Sequence, residues 1–135
     1  MPMYRALSLK QPWANLIRDG HKTIETRTWA TPYRGELLLC ASKIPAISPF
    51  GCAVCLVELI DCQPMRTRDW AKACIAPYAP AFGWHLGNVR PVPPIPVVGT
   101  LKIFSVELPD LLILEESQVN QYQKPLVDIK QSHRR

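Results

Sequence analysis

Apolar positions along the chain recur with two different periods, and the changes between them mark out the elements. "YRALSLK" (4–10) is apolar and strand-like. In "PWANLIRDG" (12–20), Pro12 suits a first helical turn, Trp13, Leu16 and Ile17 follow helical spacing, and Gly20 suits the helix end; a short helix is predicted over 12–19. Residues 19–29, "DGHKTIETRTW", return to strand-forming types, entered from the Gly20 turn. "TPYRG" (31–35) is a turn, and "ELLLCAS" (36–42) is a continuous apolar run that suits a strand buried on both faces. After the loop "IPAISPFG", "CAVCLVELID" (52–61) predicts a long strand, and "TRDWAKACI" (67–75) a second helix with Thr67 as its N-cap. "GWHLGNV" (83–89) is strand-like, "RPVPPIPVVG" (90–99) is extended with few ladder donors, and "TLKIFSVEL" (100–108) alternates as a strand does.

Five to six short strands with two short helices inserted predict an α+β fold, a small mixed β-barrel. Helices do not alternate regularly with strands, which argues against a doubly wound parallel fold. A length of 135 residues fits one domain. It is placed at 1–109, with 110–135 as a C-terminal extension, partly disordered or packed on the barrel, and "KPLVDIKQSHRR" as its frayed end. No apolar run approaches the ~20 residues that span a bilayer. The opening "MPMYRALSLKQPW" has no export-signal layout, so a cytoplasmic protein without membrane partners is expected.

Five cysteines, an odd number, suit reduced thiols. Cys52 and Cys55 form a CxxC, but inside an apolar strand that spacing sends the thiols to opposite faces; no metal site and no cofactor are expected. P-loop and dinucleotide-binding glycine patterns are missing, and no Ser-His-Asp or Cys-His arrangement is supported by spacing. His21 and His85 have the chemistry of a general base, although a lone turn or strand histidine is more often structural.

Charge adds to the picture. The formal net charge is +5, and it all lies before Leu108: 12 Lys+Arg against 7 Asp+Glu through Glu107, then 4 against 4. That permits a polyanionic partner. Lys22, Glu25 and Arg27 put three charges into a stretch that wants to be a strand. Alternation gives Glu25, Arg27, Thr23 and Trp29 one face, with Lys22 opposite unless a turn or bulge re-aims it. The plain reading is a solvated strand face with a weak Glu25–Arg27 pair. The functional reading is a cleft of two cations and one acceptor, suited to a ligand with a phosphate or carbonyl and an exocyclic amine, such as that of cytosine. At least two of Trp13, Trp29 and Trp84 are expected in the core; Trp29 is the preferred base-stacking residue, Trp13 could line the same cleft, and Lys10 and Arg34 stand at its rim.

The stretch "LSLKQPWANLIRDGHKTIETRTWATPYRGELLLCAS" resembles the ASCH domain, a PUA-like β-barrel family. It carries an "LSLKQPWA" opening, a G-x-K-x-x-E-x-R motif as Gly20, Lys22, Glu25 and Arg27, and a "YRG" turn before an apolar strand; "CLVELIDC" and "FGWHLGNVRPVPPIPVVGTLKIFSVEL" continue the likeness to about residue 108. The resemblance implies a relation to RNA-binding PUA domains and a nucleic-acid or modified-nucleoside cleft at that motif. It also implies an alternative. A branch of small bacterial amidohydrolases that deacetylate acetylcytidine shares the Gly20, Lys22, Thr23, Ile24 core, but carries a threonine nucleophile where this chain has Glu25. Their acidic partner matches Asp69 only loosely.

RNA or another single-stranded nucleic acid, or a small nucleoside ligand, is therefore the expected partner, bound by Lys22, Glu25, Arg27, Trp29, Trp13, Lys10 and Arg34. Under the amidohydrolase alternative Lys22 and Glu25 are catalytic: Glu25 acts on a water and Lys22 steadies the oxyanion. The missing threonine favours binding over catalysis. A third reading, a proline-rich docking segment at 90–99, competes with the simpler view that these prolines shape an edge of the barrel.

Overall fold

The computed structural model describes residues 1–123. Six strands form one mixed sheet: β1 (Met3–Leu9), β2 (Ile24–Arg27), β3 (Gly35–Ala41), β4 (Cys52–Pro64), β5 (Phe82–Pro91) and β6 (Ile103–Glu107), in the order β2-β5-β4-β3-β1-β6. Three short helices accompany them: α1 (Trp13–Arg18), α2 (Trp70–Ala73), which continues a 3-10 turn at Thr67–Asp69, and α3 (Glu116–Gln123). β1 and β3 pair in parallel, because α1 and β2 lie between them in the chain and carry the crossover; all other pairs are antiparallel.

The apolar run of β3 is buried on both faces, as its lack of alternation implies. Leu37 and Leu39 join Leu7, Leu9, Val57 and Trp84 on one face, where α1 packs through Ala14 and Ile17. Leu38 and Cys40 join Ala6, Ala53 and Leu56 on the other, covered by Val92 and Val97 of the proline-rich segment and by Leu108. Register shifts interrupt β4 against both neighbours. Such bulges sharpen twist and bend a sheet.

The sheet is not closed by a hydrogen-bond ladder: β2 and β6 are its edges. The barrel expected from the strand pattern is thus a six-stranded open sheet of the same α+β class. Thr67 does not cap the second helix. Asp69 reaches back instead, and its carboxylate accepts the Arg66 backbone N–H at 2.9 Å. Beyond β6, the Leu114 N–H donates to the Pro91 carbonyl at 2.8 Å, and Leu114 and Val119 are buried. The frayed end expected at 124–135 lies outside the described residues. Among the described residues no helix is long and apolar enough to cross a membrane.

Candidate functional site

The two sheet edges face each other across a seam. Pairing of β1 with β6 stops at Leu7–Ile103, so the Ser8 carbonyl has no strand partner on that side. Arg27, at the end of β2, fills the gap: its guanidinium donates to the Ser8 carbonyl at 2.7 Å. Further along, the Lys102 ammonium lies 5.5 Å from the Trp29 ring centroid, joining the residues before β6 to those after β2. Side chains, not a ladder, bridge the edges, and a cavity of about 840 Å³ opens along them.

Lys22, Glu25 and Arg27 all stand on its wall. The local chain explains how. Gly20, at φ +83°, turns the chain out of α1, and the N–H groups of His21 and Lys22 both donate to the Leu16 carbonyl. β2 begins only at Ile24, so strand alternation does not govern Lys22. Its ammonium sits 3.5 Å from Glu25 Oε1, while Arg27 Nε sits 3.0 Å from Oε2. One carboxylate thus bridges two cations.

The C-terminal end of α2 completes the frame. Helix ends leave carbonyls without intrahelical donors. Here the Lys72 carbonyl accepts the Thr23 N–H at 3.0 Å, the Ala73 carbonyl accepts the Lys22 ammonium, and the Cys74 carbonyl accepts the Trp13 indole N–H at 3.4 Å. Three carbonyls at the end of one short helix therefore hold three residues at or beside the motif. The Lys22 side chain is 1% exposed. Burial lowers its pKa below 10.5, and the Glu25 carboxylate works against that shift.

Of the residues singled out from sequence, Lys10, Trp13, Lys22, Glu25 and Arg27 line the cavity. Trp29 and Arg34 do not. β2 ends at Arg27, so alternation cannot be carried on to Trp29. Its ring meets Trp84 edge-on at 4.8 Å, and its carbonyl accepts the Trp84 indole N–H at 3.3 Å. Arg34 lies in the turn before β3, donating to the Thr31 and Tyr33 carbonyls and reaching Asp61 at 3.4 Å. Asp69 is a buried cap; the hydrogen bond from the Arg66 backbone, more than its side chain, holds its pKa low. His21 and His85 are not on the cavity wall.

Sequence reasoning missed Lys43, Tyr78 and the segment 97–102. The signal for the last was present. Gly99 sits against β1 where a Cβ would strike the Ser8 hydroxyl, and the prolines before it prevent a regular strand. Nothing local marks Lys43 or Tyr78, which reach the cavity only through the fold. Burial pushes the Cys40 and Cys55 thiols up to about 12, which leaves both as neutral core side chains. Among the described residues no group of three or more His, Cys, Asp or Glu is placed to hold a metal.

Comparison with known proteins bears on this geometry. Residues 7–96 match the family model of the ASCH domain. Activating signal cointegrator 1 from Mus musculus and from Homo sapiens are each 34% identical to the chain; the match covers 44% of it but only 14% of either relative. Among solved structures, the crystal structure of ASCH from Zymomonas mobilis superposes with a TM-score of 0.61 at 16% identity, covering 93% of this chain and 94% of that one. A tyrosine-to-phenylalanine mutant of that same Zymomonas mobilis protein gives a TM-score of 0.59 at 15% identity, over 93% and 96%. At such identities the likeness is one of fold.

Proposed function

The chain belongs to the ASCH domain family, which is associated with RNA binding, and on that premise we propose that it binds single-stranded RNA through the seam cavity. The observation that carries the reading is charge at a site of ligand size. Lys10, Lys22, Arg27, Lys43 and Lys102 line the cavity against Glu25, the single carboxylate there among the described residues. Ligand sites commonly enclose about 300–1,000 Å³, and 840 Å³ accommodates a nucleoside. Trp13 and Tyr78 offer aromatic surface for a base. Lys10, Lys43 and Lys102 are exposed and stand where phosphates would pass; Lys22 and Arg27 lie deeper.

Titration of a short single-stranded RNA over a range of salt tests this. Affinity is expected to fall with salt, and each of Lys10→Ala, Lys43→Ala and Lys102→Ala to reduce the log–log slope by about 0.7. A slope unchanged in all three variants contradicts the assignment.

The amidohydrolase alternative draws on one observation, the buried Lys22 amine with its lowered pKa beside Glu25, a perturbation common at catalytic sites. Of Thr23, Thr26 and Thr28, only Thr26 lines the cavity. Release of cytidine from acetylcytidine, lost in Lys22→Met, supports that reading; no release at high protein concentration removes it.

A further inference from the structure

Resting on the RNA reading, we infer that the cavity selects guanine, reading its Watson–Crick edge with the Glu25 carboxylate and the Lys22 ammonium. Donors and acceptors on the wall decide which base fits. A carboxylate accepts only, through about four lone-pair sites. Oε1 of Glu25 faces Lys22 at 3.5 Å and Oε2 accepts from Arg27 Nε at 3.0 Å, so each oxygen has met one cation and keeps capacity for a second donor. The Lys22 ammonium has three N–H groups. One goes to the Ala73 carbonyl and one toward Glu25, which leaves one. The wall therefore presents two adjacent acceptors with a donor on the Oε1 side.

Among the four bases, guanine alone has two adjacent donors, N1–H and the 2-amino group, followed by the O6 acceptor. N1–H meets Oε1, the 2-amino group meets Oε2, and O6 meets Lys22. Cytosine and adenine each offer one amine beside a ring nitrogen that carries a lone pair, so only one oxygen of Glu25 gains a donor. Uracil offers a single N3–H between two carbonyls. The buried setting sharpens the choice, since a polar edge without its complement is costly there. Glu25 has a 9% exposed side chain and Lys22 a 1% exposed one.

Fluorescence anisotropy with labelled RNA hexamers tests this on the full chain. The host is hexauridylate, with guanosine, inosine, cytidine or adenosine at the third position, so the phosphates are the same throughout. Guanosine is expected to bind about tenfold or more tighter than cytidine, adenosine or uridine. Inosine, which lacks only the 2-amino group, is expected to lose most of that advantage. Glu25→Gln replaces one acceptor by a donor; it is expected to bring the guanosine-to-cytidine affinity ratio down to about one. Should that variant not fold, the guanosine–inosine comparison on the wild-type chain decides. Equal affinity for guanosine and inosine, or for guanosine and cytidine, overturns the inference and leaves the RNA reading standing. No binding of any hexamer at low salt overturns both.

Discussion

Lys22 keeps almost no contact with water, and its amine is held by Glu25 and by the Ala73 carbonyl. That arrangement sets an order of mutational costs. Glu25→Ala removes the one anion between two cations and leaves the buried Lys22 uncompensated, which costs about 3–5 kcal/mol. Lys22→Met preserves the Glu25–Arg27 pair and fills similar volume; its cost is the unpaired Ala73 carbonyl, about 1–3 kcal/mol. Urea denaturation is expected to rank Glu25→Ala below Lys22→Met, and the reverse order contradicts the bridging role. The pH dependence separates folding from binding. Between the lowered folded pKa of Lys22 and 10.5, the unfolded chain holds more protons at this residue, so its contribution to stability rises with pH. If RNA binds at the proposed site, its affinity is expected to fall across the same window, because Lys22 loses its charge. The difference between wild type and Lys22→Met in parallel alkaline titrations isolates both trends. The motif was legible in the sequence, but its geometry was not, since alternation fails at both ends: Lys22 precedes the strand and Trp29 follows it.

At the scale of elements, α2 and the segment 97–102 act as fixtures. The C-cap residue of α2, Cys74, adopts the left-handed conformation at φ 57°, a position that favours glycine. Cys74→Gly relieves a strain of ~1–2 kcal/mol against a backbone-entropy cost of ~0.5–1 kcal/mol, so a gain of about 0.5–1 kcal/mol is expected by thermal unfolding. Loss of stability would mean that the Cys74 thiol contact with the His21 carbonyl matters more than the backbone strain. A Cβ at Gly99 would meet the Ser8 side chain, so Gly99→Ala shifts either the Ser8 hydroxyl or the loop itself at this wall of the cavity. RNA affinity should drop while the fold persists, as near- and far-ultraviolet circular dichroism would report; unchanged affinity argues that the loop is no wall of the site. The strands and the first two helices were legible because their periods are strong; α3, inside the extension expected to be partly disordered or packed, was not. The loop was not, because prolines carry no period and its course is fixed by contact with a distant strand.

Across the whole molecule, the site is a product of curling. An open sheet brings β2 toward β1, and Arg27 and Lys102 span the gap. The sequence contained the strand count and the concentration of positive charge before Leu108. It did not contain the parallel pairing of β1 with β3 or the bulges in β4, which arise from long-range register and together determine where the seam falls. The four tryptophans give a direct reading of that seam: Trp13 lines the cavity, Trp70 meets Tyr78 edge-on at 5.5 Å, Trp29 packs on Trp84, and Trp84 is fully buried. Their indole N–H resonances in a ¹H–¹⁵N spectrum, followed during titration with a guanosine-containing RNA hexamer, test whether RNA occupies the seam. The seam account predicts a large shift at Trp13 and little change at Trp84. Saturable binding that leaves Trp13 unmoved would place the RNA elsewhere on the protein and contradict it.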